Sequence, residues 1–217
     1  FYTMPQGHIP TGSSIPLELR KPLLELAKRY NFYIIEDDPL SDILGLSPLK
    51  AQDSDHRIIY IKSLSNILGP GLRIGFTVVP ETLYNDIIEL KEINDLSISG
   101  LLQRLLYEMI KSGDLKRHVL RLKAMIEGRS RYLSRQFGWS TNGPCVWIKT
   151  NAPSRIHLDR LMQLNVRITP GDIYGPKWSS HIRISVISPG QEDFYRGTEI
   201  IYNYLKCEPK PNLINLF

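Results

Sequence analysis

Cysteine is scarce in this chain of 217 residues: there are two, Cys145 and Cys207. Two thiols so far apart cannot make the disulfide framework of a small secreted scaffold, and a reducing cytoplasm is the expected location. Closely spaced metal ligands are also missing. The five histidines (8, 56, 118, 157 and 181) and the two cysteines show none of the spacings that zinc requires. No run approaches the roughly 20 apolar residues of a membrane span. The opening FYTMPQGHIP has neither the basic start nor the long apolar segment of a secretory signal, so a soluble chain without a membrane role is expected. Neither sign of charge dominates. The 27 Lys and Arg stand against 22 Asp and Glu, and a net charge of +5 favours acidic partners only weakly. Internal repeats and low-complexity tracts are absent. What is present, 42% hydrophobic and 23% charged residues, is ordinary globular material, enough for one large core or two small domains.

Phe-Tyr-Thr-Met at residues 1–4 is β-prone and uncapped, so the numbering is expected to begin inside a strand, in a fragment of a longer fold. A turn-rich loop, PQGHIPTGSS, follows. The pattern from Pro16 to Tyr30 predicts a helix with Leu19, Leu23, Leu26 and Ala27 on one side, where Pro22 fits comfortably only in the first turn. Residues 32–36, 58–62 and 73–79 read as strands, and the first two deliver polar residues, Asp37-Asp38 and Ser63-Leu-Ser-Asn66, at their C-terminal ends. Strands alternating with helices predict an α/β layered sheet. From Glu81 to Phe137 the reading is helical, broken at Ser97 and at Ser112-Gly113-Asp114, with Asp114 as N-cap and Gly138 as stop. Beyond that, 146–148, 166–168 and 182–186 read as strands among helices at 154–164 and 191–205, and the tail with Pro209 and Pro211 as irregular. The predicted division is an α/β part, residues 1–112, and a smaller α+β part, residues 113–217.

Four motifs stand in order: Pro10-Thr11-Gly12, Ile35-Glu36-Asp37-Asp38-Pro39, Ser63-Leu64-Ser65-Asn66 running on to Pro70-Gly71-Leu72-Arg73-Ile74-Gly75, and His181-Ile182-Arg183-Ile184-Ser185. Together the chain resembles the fold-type I enzymes that use pyridoxal phosphate, specifically class I/II aminotransferases, and the aminotransferase-like domains fused to GntR-type regulators. The resemblance spans nearly the whole chain. It implies a partial, mostly parallel sheet of the family's large domain followed by its small α+β domain, with the four strands of residues 1–79 neighbours in one sheet and the last antiparallel.

The resemblance also implies roles. Asp37 would meet the pyridinium nitrogen, whose protonation keeps the ring an electron sink. Ser63, Ser65 and Arg73 would hold the phosphate with hydroxyls and a bidentate cation. Arg183 would take a substrate carboxylate, a role suited to a guanidinium that is costly to leave half buried on an apolar strand. These residues are expected to converge at the C-terminal ends of the strands.

The lysine position of the family is the departure. Asn66 stands where the family has the lysine that forms the Schiff base, and an amide nitrogen, its lone pair delocalised, is neither nucleophile nor useful base. Ile9 and Leu40 replace the family's asparagine and tyrosine near the cofactor's phenolic oxygen. Lys62 and Lys50 do not have the geometry to substitute. The family's glycine-rich phosphate turn and ring-stacking aromatic lie upstream of the residue matching Phe1. The first expectation is therefore a degenerate, noncatalytic domain with a binding or regulatory role, holding pyridoxal phosphate noncovalently and weakly if at all. The alternatives are an aminotransferase completed by an upstream segment or partner, and a nucleic-acid-associated regulator. The last is motivated by seven Lys and Arg (116, 117, 121, 123, 129, 131, 135) against two acids in 114–137, with nucleic acid reached through a fused or partner domain. The sheet edge left open by missing upstream strands predicts a homodimer or a second polypeptide that covers it.

Overall fold

The computed structural model describes residues 1–95, 97–141, 143–188 and 190–207. The Pro209 to Pro211 tail therefore lies outside the described residues. The chain forms two compact units, one of residues 1–8 and 13–125, the other of residues 9–12 together with the chain from Ile126 onward.

The first unit is built on a four-stranded sheet in the order β1 (Tyr2–Thr3), β2 (Ile34–Asp38), β3 (Ile58–Ser63), β4 (Gly75–Val78). The first three strands are parallel and β4 runs antiparallel to β3, as the family resemblance implies. One face of β2 and β3 is buried under α1 (Leu17–Arg29), whose Leu23, Leu24 and Ala27 pack with Ile34, Leu49, Ile58 and Tyr60. Burying these side chains drives the layer together, at about 1.5–3 kcal/mol for each large aliphatic residue. The buried stripe of α1 is offset from the predicted one. Leu19 and Leu26 face outward, and Arg20 lies inside, its Nη1 donating to the Ser47 carbonyl at 2.5 Å. Pro22 is the sixth residue of the helix, beyond the first turn, so it withholds the N–H that would meet the Glu18 carbonyl.

The β2–β3 crossover carries only a four-residue helix, α2 (Ser41–Leu44), and a 3-10 turn at Leu49–Gln52. Carboxylates take the place of a longer helix. Glu36, fully buried, accepts from the backbone N–H of Leu49 and Lys50 at 2.6 and 2.7 Å. Asp53 accepts from the N–H groups of Arg57 and Ile58 and from the Lys50 ammonium, all within 3.0 Å. The β3–β4 link is tighter, with α3 (Ser65–Leu68), a 3-10 turn at Pro70–Leu72 and Arg73 in the left-handed region at φ 48°. A Cβ at Gly75 would come within 2.5 Å of the Lys62 carbonyl oxygen, so only glycine lets β4 approach β3 here.

Three helices follow, α4 (Tyr84–Asp95), α5 (Gly100–Lys111) and α6 (Asp114–Phe137), and the two compact units divide within α6. Asp114 opens α6 as its first helical residue rather than as its cap, its carboxylate accepting from Ser112 Oγ and Arg117 Nη2. Gly138, at φ 68°, ends the helix as predicted, and the N–H groups of Gly138 and Trp139 bond back to the carbonyls of Ser134 and Leu133.

The second unit holds a three-stranded antiparallel sheet in the order β5 (Cys145–Lys149), β7 (His181–Ser185), β6 (Thr169–Pro170), with α7 (Ser154–Gln163) and α8 (Gln191–Lys206). Residues 166–168, read as a strand, do not pair. Asn165 is left-handed at φ 58° and the Val166 N–H is taken by the Leu161 carbonyl, so these residues close α7 and pairing starts at Thr169. Among the described residues no helix is long and apolar enough to cross a membrane.

Candidate functional site

Strand alternation decides what the acidic end of β2 offers. Register pairs Asp37 with Ile61 and Asp38 with Lys62, so Asp37, Ile61 and Ser63 share one face while Glu36, Asp38, Tyr60 and Lys62 share the other. On the second face everything is saturated. Asp38, 1% exposed, accepts from the N–H of Ser41 at 2.8 Å, from Tyr60 Oη at 2.7 Å and from Lys62 Nζ at 3.4 Å. Burial by itself would raise this carboxyl, but the hydrogen bonds from Ser41 and Tyr60 and the Lys62 charge outweigh it and hold Asp38 below the usual carboxylate range. Burial and the bond to Asp38 in turn push the Tyr60 phenol up. Lys62 Nζ also lies 2.8 Å from both Ser41 Oγ and Asp42 Oδ2. This amine is committed to the face opposite Asp37, the physical reason it does not substitute for a lysine at position 66. Lys50 is likewise engaged, by Asp53 and the Ile58 carbonyl.

On the first face, Asp37 Oδ2 accepts one hydrogen bond, from Tyr2 Oη at 2.6 Å. Burial, that bond and the Asp37 charge push the Tyr2 phenol up to about 12, so it stays a donor through the neutral range. Sequence reading did not single out Tyr2. Its only signal is a tyrosine on a β-prone opening segment, and a pairing of two residues brings it beside β2.

Ser63, Ser65 and Arg73 line one open cleft of about 890 Å³, with Ile61, Gly75 and Thr77 of the sheet and Tyr84, Ile87 and Lys91 of α4 among its other walls. Two hydroxyls and a guanidinium in one concavity are a donor set suited to a phosphate dianion. Ser63 Oγ also accepts from the Ser65 N–H at 3.3 Å, which folds the loop back on itself. Asp37 shares the sheet face of this cleft through its pairing with Ile61 but does not line it. Asn66 follows Ser65 within α3, half buried and likewise not lining the cleft. The α3 turn is fixed from α6, since a His118 ring nitrogen lies 2.7 Å from the Ile67 carbonyl.

Arg183 belongs to the second unit. It stands at the centre of β7, paired with Trp147 on β5 and Thr169 on β6. Its Nε is buried without a hydrogen-bond partner. Cys145 lies on the same sheet face, and its Sγ–H donates at 3.1 Å to the Pro10 carbonyl, which places the Pro10-Thr11-Gly12 turn beside this face. Burial pushes the Cys145 thiol up to about 11, so it is a structural donor rather than a nucleophile. Two of the seven basic residues of α6 are already engaged. Arg129, 3% exposed, donates to the Val186 and Ile187 carbonyls and lies over the Phe194 ring, and Arg117 pairs with Asp114.

Residues 7–193 match the family of class I and II aminotransferases. The chain belongs to that family. An uncharacterized helix-turn-helix transcriptional regulator, YcxD of Bacillus subtilis, is 31% identical over 228 residues, covering 94% of this chain and 51% of the regulator. An uncharacterized aminotransferase of Saccharolobus solfataricus is 28% identical, covering 95% of this chain and 56% of that one. Among solved structures, an archaeal alanine:glyoxylate aminotransferase superposes with a TM-score of 0.86 at 25% identity, covering 94% of this chain and 55% of its own. The chain thus spans about half the length of the relatives it matches. It is an aminotransferase-like domain with the sheet and small domain of that family, and its homologues include both enzymes and transcriptional regulators.

Proposed function

We propose that this aminotransferase-like domain is a binding or regulatory module that has lost transamination, with residues 1–112 acting as part of the family's large domain and residues 113–217 as its small domain. The observation that carries the reading is the amine balance of the site. Asn66 stands directly after Ser65, and Lys62, the amine nearest in sequence, is held by Asp38, Asp42 and Ser41 on the other face of the sheet. The donor set still suits the family's cofactor. Ser63, Ser65 and Arg73 would hold its phosphate and Asp37 its ring nitrogen, without a covalent bond. When bound, pyridoxal phosphate supplies an electron sink for carbanion chemistry. Asp37, oriented by Tyr2, would keep a proton on the ring nitrogen, Arg73 would neutralise the phosphate, and Arg183 would bind the carboxylate of an amino-acid-like ligand.

A second reading is favoured by the 31% identical regulator: the domain senses its ligand within a longer protein whose DNA contacts belong to another domain. Completion by an upstream segment or a second polypeptide would leave room for residual chemistry. The four residues of β4 are all exposed, Phe76 at 54% and Val78 at 43%, and we expect a homodimer or a second chain to cover them. Two free thiols, one buried and one exposed, fit a reducing cytoplasm.

The test is borohydride treatment after incubation with pyridoxal phosphate. The unmodified protein is expected to yield no fixed adduct and to release the cofactor on dialysis. Asn66→Lys is expected to give an adduct at position 66 but no transamination, because Leu40 gives no hydrogen bond to the phenolic oxygen. Turnover by Asn66→Lys alone, or an adduct on the unmodified protein, would overturn the reading.

A further inference from the structure

Five buried side-chain nitrogen or oxygen atoms among the described residues lack a hydrogen-bond partner, and three of them lie on one face of the β5–β7–β6 sheet: Trp147 Nε1, His181 Nδ1 and Arg183 Nε. Trp147 and Arg183 are directly paired across β5 and β7, and His181 is one pleat along β7, paired with Lys149. Directly paired residues hold their Cβ atoms about 4.5–5.5 Å apart, within reach of one small ligand. A buried polar atom left unsatisfied costs about 1–3 kcal/mol, so three together on one face, with no other such atom among the described residues of the second unit, call for a partner from outside the chain.

The chemistry of the three atoms narrows that partner. The indole N–H and the guanidinium Nε–H donate only, so the missing group must bring acceptors. Arg183 carries the positive charge, and a planar anion with two oxygens matches its fork. Trp147 is held rigidly for such a role. His181 stacks on it at 5.1 Å with 17° between the planes, and Tyr174 and Trp178 meet it edge-on, both at 5.8 Å. The turn that delivers Trp178 and His181 is fixed at Gly171, where a Cβ would strike the carbonyls of both.

We propose that Trp147 is a binding residue of the Arg183 subsite, its indole N–H donating to the same carboxylate that the guanidinium holds, with His181 as the positioning residue that orients the indole. The inference rests on the reading of Arg183 as a carboxylate site and deepens it. One carboxylate oxygen takes the guanidinium, and the other is shared between guanidinium and indole. The subsite then prefers a planar carboxylate over a tetrahedral anion, because two coplanar oxygens match the guanidinium fork and the indole N–H beside it.

The test uses 3-phenylpropionate as probe and 3-phenylpropanol as uncharged control, read by the indole N–H resonances of the three tryptophans in nitrogen-15-labelled protein. Carboxylate binding is expected to move the Trp147 resonance downfield, while the alcohol leaves it in place. Trp139→Phe and Trp178→Phe assign that resonance by elimination, so the measurement stands even if Trp147→Phe misfolds. Trp147→Phe is expected to weaken binding roughly tenfold, and Arg183→Gln roughly a hundredfold. His181→Phe, which keeps a stacking ring, is expected to preserve the shift, and His181→Ala to diminish it. A Trp147 resonance that stays still while Arg183→Gln abolishes binding would overturn the role of Trp147 and leave Arg183 as the carboxylate site alone. No binding of the probe by the unmodified protein at tens of millimolar would overturn both.

Discussion

Asp37 and Asp38 are adjacent residues of one type with opposite fates. Asp38 is buried and takes donors from Ser41, Tyr60 and Lys62, whereas Asp37 takes one, from Tyr2. The second unit repeats the contrast with arginine. Arg129 is buried and spends its guanidinium on two carbonyls and a ring, while Arg183 keeps a buried Nε without a partner. A saturated polar group is part of the scaffold, and one with unused hydrogen-bonding capacity is where a ligand is to be sought. At β2 the strand decides which member of the pair is which, because its period of two sends Asp37 and Asp38 to opposite faces of the sheet.

The sharpest way to break this contrast is at β2. Asp38→Ala leaves the buried Lys62 ammonium to Asp42 and Ser41 but abandons the Tyr60 hydroxyl and the Ser41 N–H, and is expected to cost about 2–4 kcal/mol in a urea titration. Asp37→Ala removes one partly exposed hydrogen bond and is expected to cost about 1 kcal/mol or less. Equal losses would dissolve the distinction. Arg129→Met should lower stability by about 2 kcal/mol through the abandoned carbonyls of Val186 and Ile187, and Arg183→Met should leave it unchanged or raise it, since an orphan donor is removed. Thermal midpoints of the two variants check the order.

The acid limb of stability offers a finer test. The native pKa of Asp38 lies below its unfolded value, about 3.9, so between the two the unfolded chain binds more protons and stability rises with pH. The Asp38 contribution is thus complete above about pH 5 and lost as pH falls through the depressed native value. Urea midpoints from pH 3 to 7 should fall less steeply on the acid side for Asp38→Asn than for the unmodified chain. The smallest expected effect concerns Tyr2. Its phenol, pushed up to about 12, should titrate lower in Asp37→Asn, followed by carbon-13 tyrosine resonances, and an unmoved midpoint would mean that Asp37 does not hold the hydroxyl.

Much of this was legible in the residues. The β-branched runs at 32–36 and 58–62 end in acid and hydroxyl groups and form strands, while their order in the sheet and the antiparallel last strand follow what the family resemblance implies. Ser63, Ser65 and Arg73 lie close in sequence, so the β3–β4 loop alone gathers them around one cleft. The stripe of α1 was misjudged because Arg20 counts as charged, although its aliphatic stem and a single carbonyl partner let it sit inside. The residues at 166–168 have the composition of a strand, but a left-handed Asn165 spends the Val166 N–H on the preceding helix. Trp147 beside Arg183, and Tyr2 beside Asp37, depend on register between strands distant in sequence, which composition and spacing do not encode.

The carboxylates that lace the β2–β3 crossover have a kinetic consequence. Segments with so little regular structure ordinarily exchange their amide hydrogens within seconds to minutes, yet the N–H groups of Leu49, Lys50, Arg57 and Ile58 end on Glu36 or Asp53. These four amides should exchange with the slow rates of the strands they adjoin, and acid should release them. The crossover would then open as one unit with the sheet, carrying Asp37 and Asp38 with it, instead of fraying as a loop.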